Sequence, residues 1–173
     1  MGGEPFETIV GRHHGEIYRY LRRVSAGAAE DLSQETFLRA YRAYPVLAAD
    51  ANVRAWLFAI ATNLARNHSR NENRRRLAHE AIRAGRRESE GEGPEGAARF
   101  NEARASMDRV IHGLPLKQRA AFILRKFHDL PYEEIARSLT CSPESARAHV
   151  FHAFRKIRQS VNGYQLPGTE ADR

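Results

Sequence analysis

LPYEEIARSLTCSPESARAHVFHAFRKIR, residues 130–158, decides the fold, because it encodes two short helices divided by a tight turn. Pro131 suits the start of the first helix, where a missing N–H costs nothing, and Glu133 and Glu134 follow in the turn that the helix dipole makes favourable to acids. Ile135, Ala136 and Leu139 form its apolar side. Ser142 is a good N-cap for the second helix, with Pro143 at the first helical position. Ala146, Val150, Ala153 and Ile157 recur at helical spacing and are expected to pack back on the first helix. Arg147, Ala148, His149, Phe151, His152, Arg155 and Lys156 then face outward or toward the rim, as a helix entering a DNA major groove requires. An ordinary helical hairpin with a solvated basic face satisfies the same pattern. The turn carries Thr140 and Cys141 where a glycine is often found.

Composition agrees with a nucleic-acid partner. The chain has 173 residues, a net charge of +7 and a pI of about 10.1. Of its 28 basic residues, 25 are Arg and 3 are Lys. Arginine gives bidentate contacts to phosphate and guanine, although a GC-rich genome produces the same bias, and acidic substrates or membrane surfaces attract the same charge. No apolar run approaches membrane-spanning length and Met1–Gly2–Gly3 opens no signal region, so a cytoplasmic protein is expected. One cysteine excludes an internal disulfide framework, and Cys141 reads as a small buried hydrophobe. There is no glycine-rich phosphate loop, no HExxH and no framed nucleophile. His13, His14, His68, His79, His112 and His128 show no ligand pattern. His149 and His152 have a spacing seen in metal sites, but no carboxylate or second cysteine accompanies them. The expectation is therefore no catalytic residues, no metal and no cofactor.

The fold class expected is all-α: two small helical bundles joined by a flexible linker, the second bundle a helix-turn-helix domain. Phe6, Ile9, Val10, Ile17, Tyr20, Leu21 and Val24 stripe a helix over about 5–23, which Gly27 breaks. Leu32, Thr36, Phe37, Ala40, Tyr41 and Tyr44 stripe a second, closed by Pro45. After a loop at 46–52, a third helix from about Val53 to beyond Arg70 turns Trp56, Leu57, Ile60, Ala61 and Leu64 inward. From Arg74 to Arg104 alanine, glycine and charge predominate, basic up to Arg87 and acidic at Glu88, Glu90, Glu92 and Glu95, which predicts a linker with a short helix near 77–85. Met107, Val110, Ile111 and Leu114 mark a helix ending at Pro115, and Phe122, Ile123 and Phe127 mark the next. The boundaries expected are 1–76 and 105–163 for the two domains, 77–104 for the linker and 164–173 for a disordered tail.

Two blocks carry a family resemblance. EDLSQETFLRAYRAY followed by VRAWLFAIATNLARNHSRNENRRR, within residues 30–76, resembles the second region of bacterial sigma factors of the extracytoplasmic-function (ECF) group, in the sigma-70 family. The segment from about Met107 to Val161, including LPLKQRAAFILRKF, resembles their fourth region. The resemblance implies that Asp31, Leu32, Gln34 and Glu35 bind the clamp coiled coil of the RNA polymerase β′ subunit. An acidic, amide-bearing patch on a basic protein also fits a protein partner better than DNA. The −10 promoter element falls to Asp50, Asn52, Arg54, Asn63, Arg66, Asn67 and Arg70. Within that set Asn63, Arg66, Asn67 and Arg70 share a helix face suited to phosphate. Asp50 and Asn52 lie in AADANV, which resembles the family loop that captures a flipped base. The −35 element falls to Ser142, Ser145, Arg147, Ala148, His149, Phe151, His152 and Arg155. Ser145 and Glu144 depart from the usual threonine and glycine, and His149 and His152 stand where basic residues are common.

The resemblance thus implies a promoter-specificity subunit with core RNA polymerase (β′ clamp and β flap), promoter DNA and an anti-sigma factor as partners. It implies no enzymatic activity and no membrane insertion, though an anti-sigma factor could hold the chain at the membrane. Two other readings stand beside it: a sigma mimic that binds an anti-sigma factor as a decoy, and a dimeric helix-turn-helix repressor.

Overall fold

A computed structural model of the chain describes residues 4–82 and 107–162, and every regular element among them is helical. Three α-helices form the N-terminal unit: α1 (Phe6–Val24), α2 (Ala29–Ala43) and α3 (Val53–Ile82). Four follow in the C-terminal unit: α4 (residues 107–112), α5 (Leu116–Phe127), α6 (Tyr132–Leu139) and α7 (Pro143–Asn162). Residues 77–82, placed by sequence in the linker, continue α3; the rest of the expected linker up to 104 and the tail at 164–173 lie outside the described residues.

The apolar stripes explain the packing. In α1, Ile9, Ile17, Tyr20, Leu21 and Val24 are buried, while Arg22 and Arg23 stand in the last turn, where the dipole favours cations. In α2, Leu32, Thr36, Phe37 and Ala40 face inward, and the Thr36 hydroxyl donates to the Leu32 carbonyl at 2.6 Å. Tyr41 is a correction: it is 59% exposed, its ring edge meeting Phe6 at a centroid distance of 5.4 Å instead of entering the core. The first half of α3 is surrounded. Ala55, Leu57, Phe58, Ala61, Leu64 and Ala65 are all buried, because α1 and α2 cover one side and α6 the other. Alanines at 55, 61 and 65 let those helices approach closely. Beyond Arg70 the described side chains of α3 are exposed.

The C-terminal unit is built round α5, in which Ala120 to Leu124 are buried in succession because α1, α6 and α7 all pack on it. Phe127, counted inward from its spacing, is 48% exposed and lies under the Arg23 guanidinium instead. Ser142 caps α7 as its sequence predicts, accepting from the Ser145 N–H at 3.2 Å. Ala146, Val150, Ala153 and Ile157 are buried beneath the outward face.

The turn between α6 and α7 solves the missing-glycine problem with strain. Thr140 sits in the left-handed region (φ 52, ψ 60), and the Cys141 N–H reaches back to the Ala136 carbonyl at 3.0 Å, the closure of a Schellman motif. A β-branched residue there costs roughly 1–2 kcal/mol relative to a conformation it prefers. Thr140→Gly is therefore expected to stabilise the chain by about 1 kcal/mol, net of the entropy that glycine adds to the unfolded state. A lower urea midpoint for this variant would contradict that account.

The two bundles do not stand apart. A single continuous core runs from Ile9 through Phe58 and Leu124 to Ile157, with α1 packed on α5 and α3 on α6.

Candidate nucleic-acid and polymerase interfaces

Three surfaces carry the residues singled out from sequence. On α2, Asp31 and Gln34 are exposed and Glu35 is half-exposed, ion-paired to Arg39 at 2.6 Å. Leu32 does not share this face. It is 8% exposed and packs into the core, so its side chain can support the surface but not meet a partner. Leu38, at 45% exposure, and Tyr41 extend the same exposed side of the helix, an apolar continuation that the charged pattern at 31–35 did not reveal.

The second surface is α3 and the loop before it. Asn63, Asn67 and Arg70 are exposed on one face, with Arg66 half-exposed and its Nη1 donating to Asn63 Oδ1 at 3.2 Å. Asp50 is exposed in the turn ahead of them. Asn52 and Arg54 are engaged within the chain. Asn52 caps α3, its Oδ1 accepting from the Ala55 N–H at 3.0 Å, and its amide donates to Glu134 of α6 at 2.7 Å. Arg54 forks onto the Glu16 carboxylate, with Nε at 3.1 and 3.0 Å, and also donates to the His128 carbonyl at 2.7 Å.

The third surface is the outward side of α7. Ser142, Ser145, Arg147, Ala148, Phe151, His152 and Arg155 are exposed there and His149 is half-exposed. Arg147 lies over the Tyr132 ring at 5.2 Å and 3.8 Å from Glu133, so α6 orients it. Burial holds His149 below the usual histidine range, assisted by Lys117 and His152, so its imidazole is neutral near pH 7. Burial pushes the Cys141 thiol up, away from reactivity. Among the described residues, no three His, Cys, Asp or Glu side chains come together to hold a metal ion. Also among them, no helix is long and apolar enough to cross a membrane.

One cluster escaped the sequence entirely. Glu16 of α1, Arg54 of α3 and His128, just past α5, converge although Glu16 and His128 are 112 residues apart. His128 is 5% exposed, its ring tilted against Phe58 at 4.8 Å and edge-on to Tyr20 at 5.9 Å. Its Nδ1 lies 3.1 Å from the Glu16 carboxylate, while its Nε2 is buried with no partner. A neutral imidazole donating through Nδ1 satisfies that arrangement, whereas an imidazolium would strand an N–H at Nε2. Burial accordingly lowers the His128 pKa, even though Glu16 pulls it upward; Arg54 and Arg23 assist the lowering. For Glu16, burial would raise the pKa, but the hydrogen bonds from Arg54 and His128 and their charges hold it at about 2.

These shifts set a pH window. His128 and His13, whose pKa burial also depresses, bind protons more readily when unfolded, so their contribution is intact above about pH 6.5 and falls on acidification below it. Glu16 acts in the same sense over a lower window: its contribution is present above about 4.5 and lost toward about 2. Urea midpoints should thus drop between pH 7.5 and 5.5, and drop less in His128→Gln. Equal drops in both proteins would exclude His128 as a source.

The comparisons with known proteins agree with this geometry. Residues 9–75 match Sigma-70 region 2, and residues 104–157 match Sigma-70 region 4. The chain is 33% identical over 164 residues to the ECF RNA polymerase sigma-E factor of Salmonella typhimurium, covering 90% of this chain and 86% of that one. It is 32% identical over 165 residues to the RNA polymerase sigma-H factor of Pseudomonas aeruginosa, with coverage of 90% and 86%. Among solved structures, the sigma factor RpoE in complex with the anti-sigma factor NepR, from Bartonella quintana, superposes with a TM-score of 0.68 at 22% identity, covering 92% of this chain and 98% of that one. CnrH in complex with the cytosolic domain of CnrY gives 0.66 at 23%, covering 92% and 89%. The chain belongs to the sigma-70 family, within its extracytoplasmic-function group. Its function is that of the family, promoter-specific initiation of transcription by RNA polymerase.

Proposed function

We propose that the work is divided between the two units. Residues 1–76 bind polymerase and the −10 element, and residues 105–163 read the −35 element. The observation that carries this reading is the separation of surfaces by charge. The exposed face of α2 offers Asp31, Gln34 and Glu35, while the exposed faces of α3 and α7 offer Arg70, Arg147 and Arg155. Phosphates repel the first face and attract the other two. Asp31, Gln34 and Glu35 meet the β′ clamp coiled coil; the C-terminal unit docks on the β flap. Asn63, Arg66, Asn67 and Arg70 position −10 DNA through phosphates, and Asp50 and Asn52 meet an extruded base. Around Arg147, the side chains of Ser142, Ser145, His149, Phe151, His152 and Arg155 make the −35 surface, with Ala148 admitting close approach.

Bond-making belongs to the polymerase, and this chain is not itself an enzyme. It acts in the cytoplasm, and an anti-sigma factor covers its polymerase- and DNA-binding faces until a signal arrives. The solved complex of the sigma factor RpoE with the anti-sigma factor NepR supports that partner by similarity of fold.

Run-off transcription with purified core polymerase over a genomic fragment library tests the whole reading. Absence of any promoter-directed transcript, alongside stable binding to an anti-sigma protein, would favour the decoy. The double variant Asp31→Ala, Gln34→Ala is expected to weaken core binding at least tenfold with an unchanged urea midpoint. Full core affinity in this variant removes α2 from the polymerase interface.

A further inference from the structure

Two imidazoles stand on the outward side of α7, in a chain whose 28 basic residues include 25 Arg. His149 and His152 are about one helical turn apart, on a stripe that runs from Ser145 to Lys156, with Arg147 and Arg155 flanking it. Val150 and Ala153, next to them in sequence, are buried, so packing of α7 on α5 and α6 fixes the side that the imidazoles present. His152 is exposed, its ring edge-on to Phe151 at 5.8 Å, and His149 is half-exposed.

The charges around this pair are almost all positive. Lys117 of α5 acts on His149, as does His152 from within α7. Arg66 of α3 reaches the start of α7, acting with Lys117 on Cys141. Arg147, Arg155 and Lys156 continue the positive charge along the helix. The two nearby acids are engaged elsewhere: Glu133 of α6 faces Arg147 at 3.8 Å, and Glu144 bonds its own backbone N–H and the Ser142 hydroxyl at the helix cap. Among the described residues no carboxylate pairs with His149 or His152, in contrast to Glu16 with His128.

Duplex DNA reverses that balance. It carries one negative charge per about 1.7 Å of its axis, and an opposite charge within about 4–6 Å favours the ionised form of a group. Histidine is the side chain whose charge changes near neutral pH, whereas arginine is always charged. A proton that the free face repels is therefore held once phosphates lie against it. Linkage is reciprocal: if DNA tightens proton binding, protons tighten DNA binding by the same factor.

We propose that His149 and His152 couple the −35 surface to pH: duplex DNA takes up protons at both imidazoles as it docks, so its affinity rises as pH falls through neutrality. The inference rests on the −35 reading of α7 given above. Arg147 and Arg155 attract DNA at every pH, and the two histidines add their charge only on acidification.

Equilibrium binding of the full-length chain to a random-sequence duplex DNA pool of about 20 base pairs reads the coupling, since such binding is dominated by phosphates. At fixed salt, wild-type affinity should rise at least tenfold between about pH 8 and about pH 6.5, the range above the loss of the His128 contribution. The double variants His149→Gln, His152→Gln and His149→Arg, His152→Arg cannot titrate at these positions, and their affinities should change less than threefold. Circular dichroism at both pH values confirms that each protein remains helical. A wild-type rise no steeper than that of both double variants would overturn the coupling. Arg147→Ala, Arg155→Ala separates that failure from failure of the −35 reading. If this variant binds the duplex as tightly as wild type, α7 is not the DNA face and the proposal falls with it; if it binds more weakly while the pH slopes still coincide, only the coupling is lost.

Discussion

Phe58→Ala is expected to destabilise the chain by about 3–5 kcal/mol, the range for emptying a fully buried aromatic site. Phe58 is 0% exposed, packed edge-on to Tyr20 at 5.2 Å and against His128 at 4.8 Å. It therefore supports both units at once, so the cavity opens at the seam as well as inside the first bundle. Total stabilities of roughly 5–15 kcal/mol leave little after such a loss. Urea unfolding of Phe58→Ala beside Phe151→Ala provides the contrast. Phe151 is 61% exposed, and its truncation should stay within about 0.5 kcal/mol. A cost for Phe58→Ala below about 1 kcal/mol would show that the two units do not share a core in solution.

Arg147→Ala should weaken −35-dependent initiation by ~1–3 kcal/mol, equivalent to roughly five- to 150-fold, if its guanidinium reads a base. The fold itself should barely register the change. Arg147 and Glu133 are 55% and 61% exposed at a separation of 3.8 Å, and exposed pairs of that kind contribute little. Parallel transcription from intact and −35-mutated promoters separates base reading from phosphate contact. A base reader loses its preference between the two templates, whereas a phosphate contact weakens both alike. If the parent protein is itself indifferent to the −35 sequence, the assignment fails.

Much of the fold was legible because local signals agreed. Ser142 followed by Pro143 fixed the start of α7, and the four-residue and three-residue steps from Ala146 to Ile157 fixed its inward face. The same periodicity misjudged Tyr41 and Phe127, since spacing defines a side of a helix but not whether anything lies against it. Tyr41 comes at the end of α2, where Phe6 offers only a ring edge, and Phe127 comes at the end of α5, where Arg23 covers it instead of apolar neighbours. Leu32 was assigned to a partner surface through its place in a family pattern, and burial returns it to the core.

By itself the sequence determined the helices, the Ser142 cap, the helix-turn-helix and the acidic and basic faces, because each depends on residues within a few turns of one another. Only the tertiary structure decided that the two bundles share one core and that Glu16, Arg54 and His128 meet. No periodicity links Glu16 to His128, and nothing local distinguishes His128 from the other scattered histidines. What marks it is desolvation, which it acquires when α1, α3 and α5 close around it. The same closure engages Asn52 and Arg54, expected from sequence to face promoter DNA, with Glu134, Glu16 and the His128 carbonyl, contacts that exist only once the chain has folded.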